Sequence, residues 1–197
     1  MDINGEKREL RKAVREKLRA LSAEDRTLAA RQVLEKLSGF DRWNSAGLVL
    51  AFVSLPDEID TAPILRAALE AGKILAVPRV AGENLTFYKI SNLEHDIAPG
   101  AFGIGEPLSD LPPVAPESLS ELSCVALVPG VAFDRENFRL GRGKGFYDRF
   151  FASGGNSVYK IGIGYSFQLV EKVPREPHDQ KLDTVIVSGS SASLCNA

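Results

Sequence analysis

The sequence predicts an α/β fold: one domain of 197 residues with a largely parallel sheet flanked by helices in an open, layered arrangement. Three observations carry this. Short, almost wholly apolar runs, residues 47–53 (GLVLAFV) and 124–128 (CVALV), fit strands covered on both faces. Helical stripes alternate with these runs, the order that builds parallel sheets. The length suffices to bury a core without a metal or disulfide staple, and 44% hydrophobic with 25% charged residues is ordinary globular composition.

The elements follow in order. Residues 6–20 (EKRELRKAVREKLRA) form a helix, because Leu10, Val14, Leu18 and Leu21 fall on one stripe. Its other faces are basic, with Lys7, Arg8, Arg11, Lys12, Arg15, Lys17 and Arg19 against Glu6, Glu9 and Glu16. Lys12, Arg15, Lys17 and Arg19 are expected to face water. Ser22 with Asp25 reads as the capped start of a second helix, running to about Leu37 and stopped by Gly39. Residues 47–53 form the first strand, with Phe40 and Trp43 packed beneath it. Residues 61–71 are helical, with Pro63 in the first turn and Gly72 as the stop. Residues 74–77 form a second buried strand closed by Pro78, and 85–90 a strand that opens a hairpin or an edge. Residues 96–120 are rich in Pro, Gly and Ser and read as a long surface excursion. The third buried strand, 124–128, runs into Pro129-Gly130. Residues 161–165 and 184–187 are further strands, and about 189–197 is a frayed tail.

Charge and composition narrow the function. The net charge of −2 and the lack of aromatics interleaved on the basic helix exclude a protein that coats nucleic acid. Phosphate binding must come from a local basic cluster. Cys124 and Cys195 form no metal or disulfide pattern, and Cys124 reads as a small core hydrophobe. No apolar run is long enough to span a bilayer, and the first residues are charged, with no apolar signal core. A cytoplasmic protein with no membrane partner is expected.

The most informative stretch is 128–151, VPGVAFDRENFRLGRGKGFYDRFF. A buried strand ends, and three glycines within five residues (Gly141, Gly143, Gly145) precede a helix start at Phe146-Tyr147-Asp148. Ligands of open α/β sheets bind beyond the carboxyl ends of the strands. Glycines there let backbone N–H groups approach an anion, while Arg139, Arg142 and Lys144 supply charge. Residues 135–149 hold five basic and two acidic side chains in a chain that is acidic overall, which fits a polyphosphate pocket. Asp148 suits Mg²⁺, a cation held by one or two carboxylates plus phosphate oxygens. The loop is not a Walker A motif, since Lys144 is followed by Gly145 rather than Ser or Thr.

The order of these features closely resembles the 5-formyltetrahydrofolate cyclo-ligase family. The resemblance runs from about Lys7 to Val187. It is carried by the Lys7-Arg8-x-Leu10-Arg11 start, by LPDEIDT (55–61) after the first strand, and by PGVAFD (129–134) leading into RLGRGKGFYD (139–148). It implies an enzyme that converts 5-formyltetrahydrofolate to 5,10-methenyltetrahydrofolate with ATP and Mg²⁺, acting as a monomer on small-molecule substrates. Lys7, Arg8, Glu9, Leu10 and Arg11 are assigned to ATP, as are Arg139, Leu140, Gly141, Arg142, Gly143, Lys144, Gly145, Phe146 and Tyr147. Arg11, Val53, Glu58, Arg142, Gly143, Lys144, Gly145 and Phe146 are assigned to the folate. Phe102 joins them as an aromatic on the 96–107 loop, suited to stacking on a folate ring. Asp148 and Asp179 are the metal ligands, and Lys144, Arg142 and Tyr147 carry the chemistry. The alternative for Glu58 is a purely local role beside Asp60 or Thr61, either of which can cap the helix behind it. Two positions depart from the family pattern: Phe138 stands where a glycine is usual, and Phe146-Tyr147 where Tyr-Tyr is usual.

Overall fold

The computed structural model describes residues 2–100, 105–154 and 157–189. The chain opens with helix α1 (Ile3–Arg19), whose first turn is capped by Asp2, the Gly5 N–H donating to its Oδ1 at 2.7 Å. The helix therefore begins three residues before the expected start at Glu6. Helix α2 (Ala23–Ser38) starts at the predicted cap Ser22, which forms a reciprocal capping box with Asp25, and ends at Gly39. A short turn of helix, α3 (Asp41–Asn44), buries Trp43 against the core.

Six strands form the main sheet in the order β11-β9-β6-β1-β2-β3. They are β1 (Leu48–Leu50), β2 (Ile74–Ala81), β3 (Asn84–Ile90), β6 (Cys124–Val128), β9 (Tyr159–Gly164) and β11 (Thr184–Val187). All pairings are parallel except the β2–β3 hairpin at the edge. Between these strands lie α4 (Ala62–Glu70), β4 (Ile97–Pro99), β5 (Gly105–Pro107), α5 (Ser118–Glu121), β7 (Ala132–Asp134), β8 (Arg139–Leu140), α6 (Phe146–Ala152) and β10 (Leu169–Val170). Strand alternation sorts the core into two layers. Val49, Leu75, Val125, Leu127 and Ile161 face α1, α2 and α4, while Leu48, Leu50, Ala76, Ala126 and Val128 face the side carrying Leu119 of α5 and Phe151 of α6. Cys124 lies in the second layer, and burial pushes its thiol up to about 12.

Two expectations needed correction. The first strand is only Leu48–Leu50, because Thr61 pulls the chain out of the sheet: its hydroxyl donates to the Phe52 carbonyl at 2.7 Å and accepts from the Ser54 N–H at 3.1 Å. Pro78 does not close β2; the strand runs on to Ala81, with Pro78 opposite Phe87. Ala76 accepts from Ala51 on the β1 side, so alternation puts the Pro78 nitrogen on that same side, past the end of β1, where no ladder bond is lost. Among the described residues of the 96–120 excursion, β4 and β5 pair antiparallel, Pro113 bridges to Tyr88, and α5 follows.

The small sheet β10-β7-β8 was not expected. It is seated by Phe133, which is wholly buried and lies against bare backbone. A Cβ at Gly130 would come within 2.6 Å of its ring, and one at Gly162 within 2.7 Å. The turn from β7 to β8 explains how Phe138 is tolerated. The left-handed conformation falls on Asn137 (φ 66°), not on Phe138, and the buried Asp134 carboxylate accepts the N–H groups of Glu136, Phe138 and Val173. Arg175 then covers the Phe138 ring at 4.2 Å.

Candidate active site at the carboxyl edge of the sheet

Chain order in the sheet reverses at one place. From β1 the chain moves outward to β2 and β3, then returns to lay β6, β9 and β11 on the other side. The crevice between the carboxyl ends of β1 and β6 is thus the switch point where open α/β sheets bind ligands. The loop 51–61 leaves β1 on one side of it, and the segment from Pro129 to Gly145 leaves β6 on the other. Helix α1 lies across the same edge.

Arg142 spans this crevice. Its Nη2 and Nη1 donate to the two carboxylate oxygens of Asp57 at 2.6 and 3.3 Å, and its Nε donates to Glu58 Oε1 at 3.1 Å. Burial alone would raise the Asp57 carboxyl; the bond and charge of Arg142, with Arg15 nearby, outweigh it and hold the group below the ordinary carboxylate range. Arg142 is pushed up by the same partners against its own burial. Glu58 also closes its own loop, its Oε2 accepting from the Leu55 N–H at 3.0 Å. The loop is further tied by Arg26 to the Pro56 carbonyl and by the Tyr165 hydroxyl to the Glu58 carbonyl. Asp60 accepts from the Ala62 N–H and so supports the start of α4, leaving the Glu58 side chain free of that task.

The glycine loop is shaped by backbone freedom at two positions. Gly143 (φ 103°) and Gly145 (φ 64°) adopt left-handed conformations that side chains disfavour, and a Cβ on Gly145 would also press to 3.0 Å from Arg149 Nη1. Arg11 of α1 pins the loop by donating from Nε to the Gly141 carbonyl at 2.9 Å. Lys144, at the tip, is exposed and makes no ion pair or hydrogen bond among the described residues. Arg149 donates twice to the Glu83 carbonyl and covers the Phe146 ring, fastening the β2–β3 hairpin tip to α6.

Behind the loop lies a denser set of charges. Lys7 Nζ is 2.9 Å from both Glu176 Oε2 and Asp179 Oδ2. Burial would lower the Lys7 amine, yet its two carboxylate partners raise it; burial would raise Asp179, yet the Glu176 N–H and Lys7 lower it. Arg139 donates to Asp148 Oδ1 at 3.0 Å, and the same oxygen accepts from the N–H of Gln180, next to Asp179. The two predicted metal residues are thus linked through the Gln180 backbone, which follows Asp179 in the chain and binds Asp148. The Tyr147 hydroxyl is enclosed and, among the described residues, is the buried side-chain polar atom with no hydrogen-bond partner. Burial pushes its phenol up, Glu58 adds to the shift and Arg139 opposes it, so the group is a neutral donor.

The other predicted residues are less gathered. Arg8 and Glu9 are exposed, Leu10 packs into the core, and Leu140 is buried in β8. Val53 is half-buried beside Gly105 of β5. Phe102 and Cys195 lie outside the described residues. His178 is exposed, 3.7 Å from Asp179. Reading the sequence alone misses Asp57, Glu176, Arg26, Tyr165 and Gln168, whose buried amide donates to the Gly130 and Val131 carbonyls. Arg15 is exposed, as expected, and also borders the cleft with Arg11, Asp57, Glu58 and Arg142. A separate open cavity of about 390 Å³ lies at the amino ends of β6 and β9 and gathers none of the predicted site residues.

An open α/β sheet with a glycine-rich, cation-bearing loop at its switch point defines a protein built to hold a polyanionic ligand. Sequence comparison makes this specific: the chain belongs to the 5-formyltetrahydrofolate cyclo-ligase family, which matches residues 3–188. It is 28% identical to the 5-formyltetrahydrofolate cyclo-ligase of Mus musculus over 200 residues, covering 97% of this chain and 98% of the relative. It is 32% identical to that of Escherichia coli strain K12 over 177 residues, covering 88% and 95%. The NMR structure of Aquifex aeolicus 5,10-methenyltetrahydrofolate synthetase superposes with a TM-score of 0.79 at 34% identity, covering 92% of this chain and 91% of that one.

Proposed function

We propose that this protein cyclises 5-formyltetrahydrofolate to 5,10-methenyltetrahydrofolate while ATP becomes ADP and phosphate. The N5-formyl group is an amide whose oxygen leaves poorly. Transfer of the γ-phosphoryl group to that oxygen creates a phosphate leaving group; N10 then attacks the formyl carbon and gives up its proton, and the carbon–oxygen bond breaks, so that phosphate and the proton leave. No covalent protein nucleophile is needed, because such a transfer depends mostly on positioning and charge neutralisation.

The residues support this division of labour. In this reading Arg11, Gly143, Lys144 and Gly145 serve both the triphosphate and the folate, Lys7, Arg8 and Arg139 serve the nucleotide, and Val53 and Glu58 serve the folate. Lys144 is free to meet charge that develops during transfer. The Tyr147 hydroxyl is a buried donor without an acceptor among the described residues, which suits a ligand oxygen. The observation that carries the reading is Arg142, which ties the loop assigned to the nucleotide to the loop assigned to the folate.

A divalent cation fits the donor set. Asp148 and Asp179 each commit one oxygen to close hydrogen bonds, leaving Asp148 Oδ2 and Asp179 Oδ1 as hard donors. Among the described residues no cluster of three metal-ligating side chains forms, so phosphate oxygens and water complete the shell. Asp148 and Asp179 would hold Mg²⁺ there, and the cation would supply neutralisation of the triphosphate charge. The protein acts as a single-domain cytoplasmic monomer in this reading, and no helix of the described residues is long and apolar enough to cross a membrane. The test follows methenyltetrahydrofolate absorbance with ATP, Mg²⁺ and 5-formyltetrahydrofolate present or singly omitted. Product formed without ATP, or none with all three present, would overturn the proposal.

A further inference from the structure

We infer that Asp57 is a positioning residue for the cyclisation: it sets the plane of the Arg142 guanidinium at the junction of the two substrate loops. This rests on the role proposed for Arg142. The guanidinium has five N–H donors in a rigid plane. Three are committed within the protein, two to Asp57 and one to Glu58, and two remain for substrate. The geometry divides the work between the two carboxylates. Asp57 takes both terminal nitrogens in a fork, which fixes the plane as well as the distance. Glu58 holds only Nε through one oxygen, and its other oxygen is spent on Leu55. Glu58 alone would leave the terminal nitrogens free to swing.

The surroundings explain why such a guide is needed. Arg142 sits between Gly141 and Gly143, so its backbone contributes little stiffness. Its side chain is 40% exposed, so packing does not hold it either. The loop bearing Asp57, by contrast, is tied down by Arg26, Tyr165 and Thr61. Rigidity passes from that loop to the glycine loop through the Asp57 fork. A misplaced guanidinium still carries its charge but meets the transferring group at the wrong angle, so the effect falls on turnover rather than on substrate capture.

The test is a double-mutant cycle between Asp57→Asn and Arg142→Lys, with kcat, both KM values and Tm measured for each protein. Lysine keeps the charge at 142 but cannot make the planar fork. Asp57→Asn in the wild-type background is expected to lower kcat about tenfold, which corresponds to about 1.4 kcal/mol, with each KM within about twofold and Tm nearly unchanged. In the Arg142→Lys background the same change is expected to cost less than twofold, because the fork is already gone. Asp57→Asn with wild-type kcat, or an equal loss in both backgrounds, overturns the positioning role while leaving Arg142 in place. Arg142→Lys with wild-type kinetics overturns the role of Arg142 itself, and this inference with it.

Discussion

The two flanks of the glycine-rich loop carry similar charges in different surroundings. On the inner flank, Lys7, Glu176, Asp179, Asp148 and Arg139 form a linked set in which the Lys7 and Arg139 side chains are only 8% and 4% exposed. On the outer flank, Arg142 and Asp57 meet with side chains 40% and 38% exposed. Removing one member of a largely buried pair leaves its partner charged in a poor solvent, whereas a half-exposed partner is rescued by water. In the proposed function the inner flank therefore joins ligand binding to folding, and the outer flank can lose function without losing structure. Lys144 stands between them at the loop tip, unpaired within the described residues, and answers to neither.

That contrast is open to direct attack. The largest effect is expected at the tip. Lys144→Ala should lower kcat about 10²–10³-fold, the usual cost of removing one preorganised electrostatic contact, with Tm unchanged. Turnover near wild type would remove Lys144 from the mechanism. Next is the inner flank, where Arg139→Ala should weaken ATP binding and also destabilise by about 3 kcal/mol, on the order of 10 °C in Tm. A binding defect without a shift in Tm would erase the distinction between the flanks. Asp148→Asn and Asp179→Asn should each raise the Mg²⁺ concentration for half-maximal activity, since an amide is a weaker ligand for a hard cation. An unchanged Mg²⁺ dependence in both would make them purely partners of Arg139 and Lys7.

Smaller effects sharpen the picture. Glu58→Gln keeps an acceptor for Leu55 but loses the charged bond to Arg142. It should weaken 5-formyltetrahydrofolate by roughly 1–3 kcal/mol while ATP affinity and Tm stay close to wild type. An ATP-selective defect would contradict the layout of the two sides. The smallest expected signal is the pH dependence of stability. Asp179 titrates below its ordinary 3.8, so its contribution is present above that value and is lost as the pH falls through the lower folded value. Lys7 titrates above its ordinary 10.5, so its contribution is present below that value and is lost as the pH rises through the higher folded one. Acid and alkaline melting curves of Lys7→Met should both be flatter at these ends than those of wild type. Equal slopes would show that the pair adds nothing to folding.

Local patterns were enough for most of the architecture. The stripe of α1, the capping box of α2, the apolar runs of β1 and β6 and the glycine-rich loop are all written in neighbouring residues, because helix and strand periodicity and capping act over a few positions. The family motifs likewise point to Lys7, Arg139, Arg142, Lys144 and Asp148 by type and spacing. Where the reading slipped, a distant group had intervened. Thr61 shortened β1, and the end of β1 made room for Pro78. The turn at Asn137 carried the left-handed residue that Phe138 could not.

What only the tertiary structure decided is who partners whom. Asp57 and Arg142 are separated by 85 positions, and Lys7 and Asp179 by 172. No short-range pattern links such residues. The sheet's reversal of order at β1 and β6 brings the first pair together, and the return of the chain from β10 to β11 past α1 brings the second. Sequence alone determined that cations, glycines and carboxylates would be available at the carboxyl edge. Their pairing, and with it the split between a largely buried flank and a half-exposed one, arises from burial, which depends on the whole packed chain rather than on any one segment.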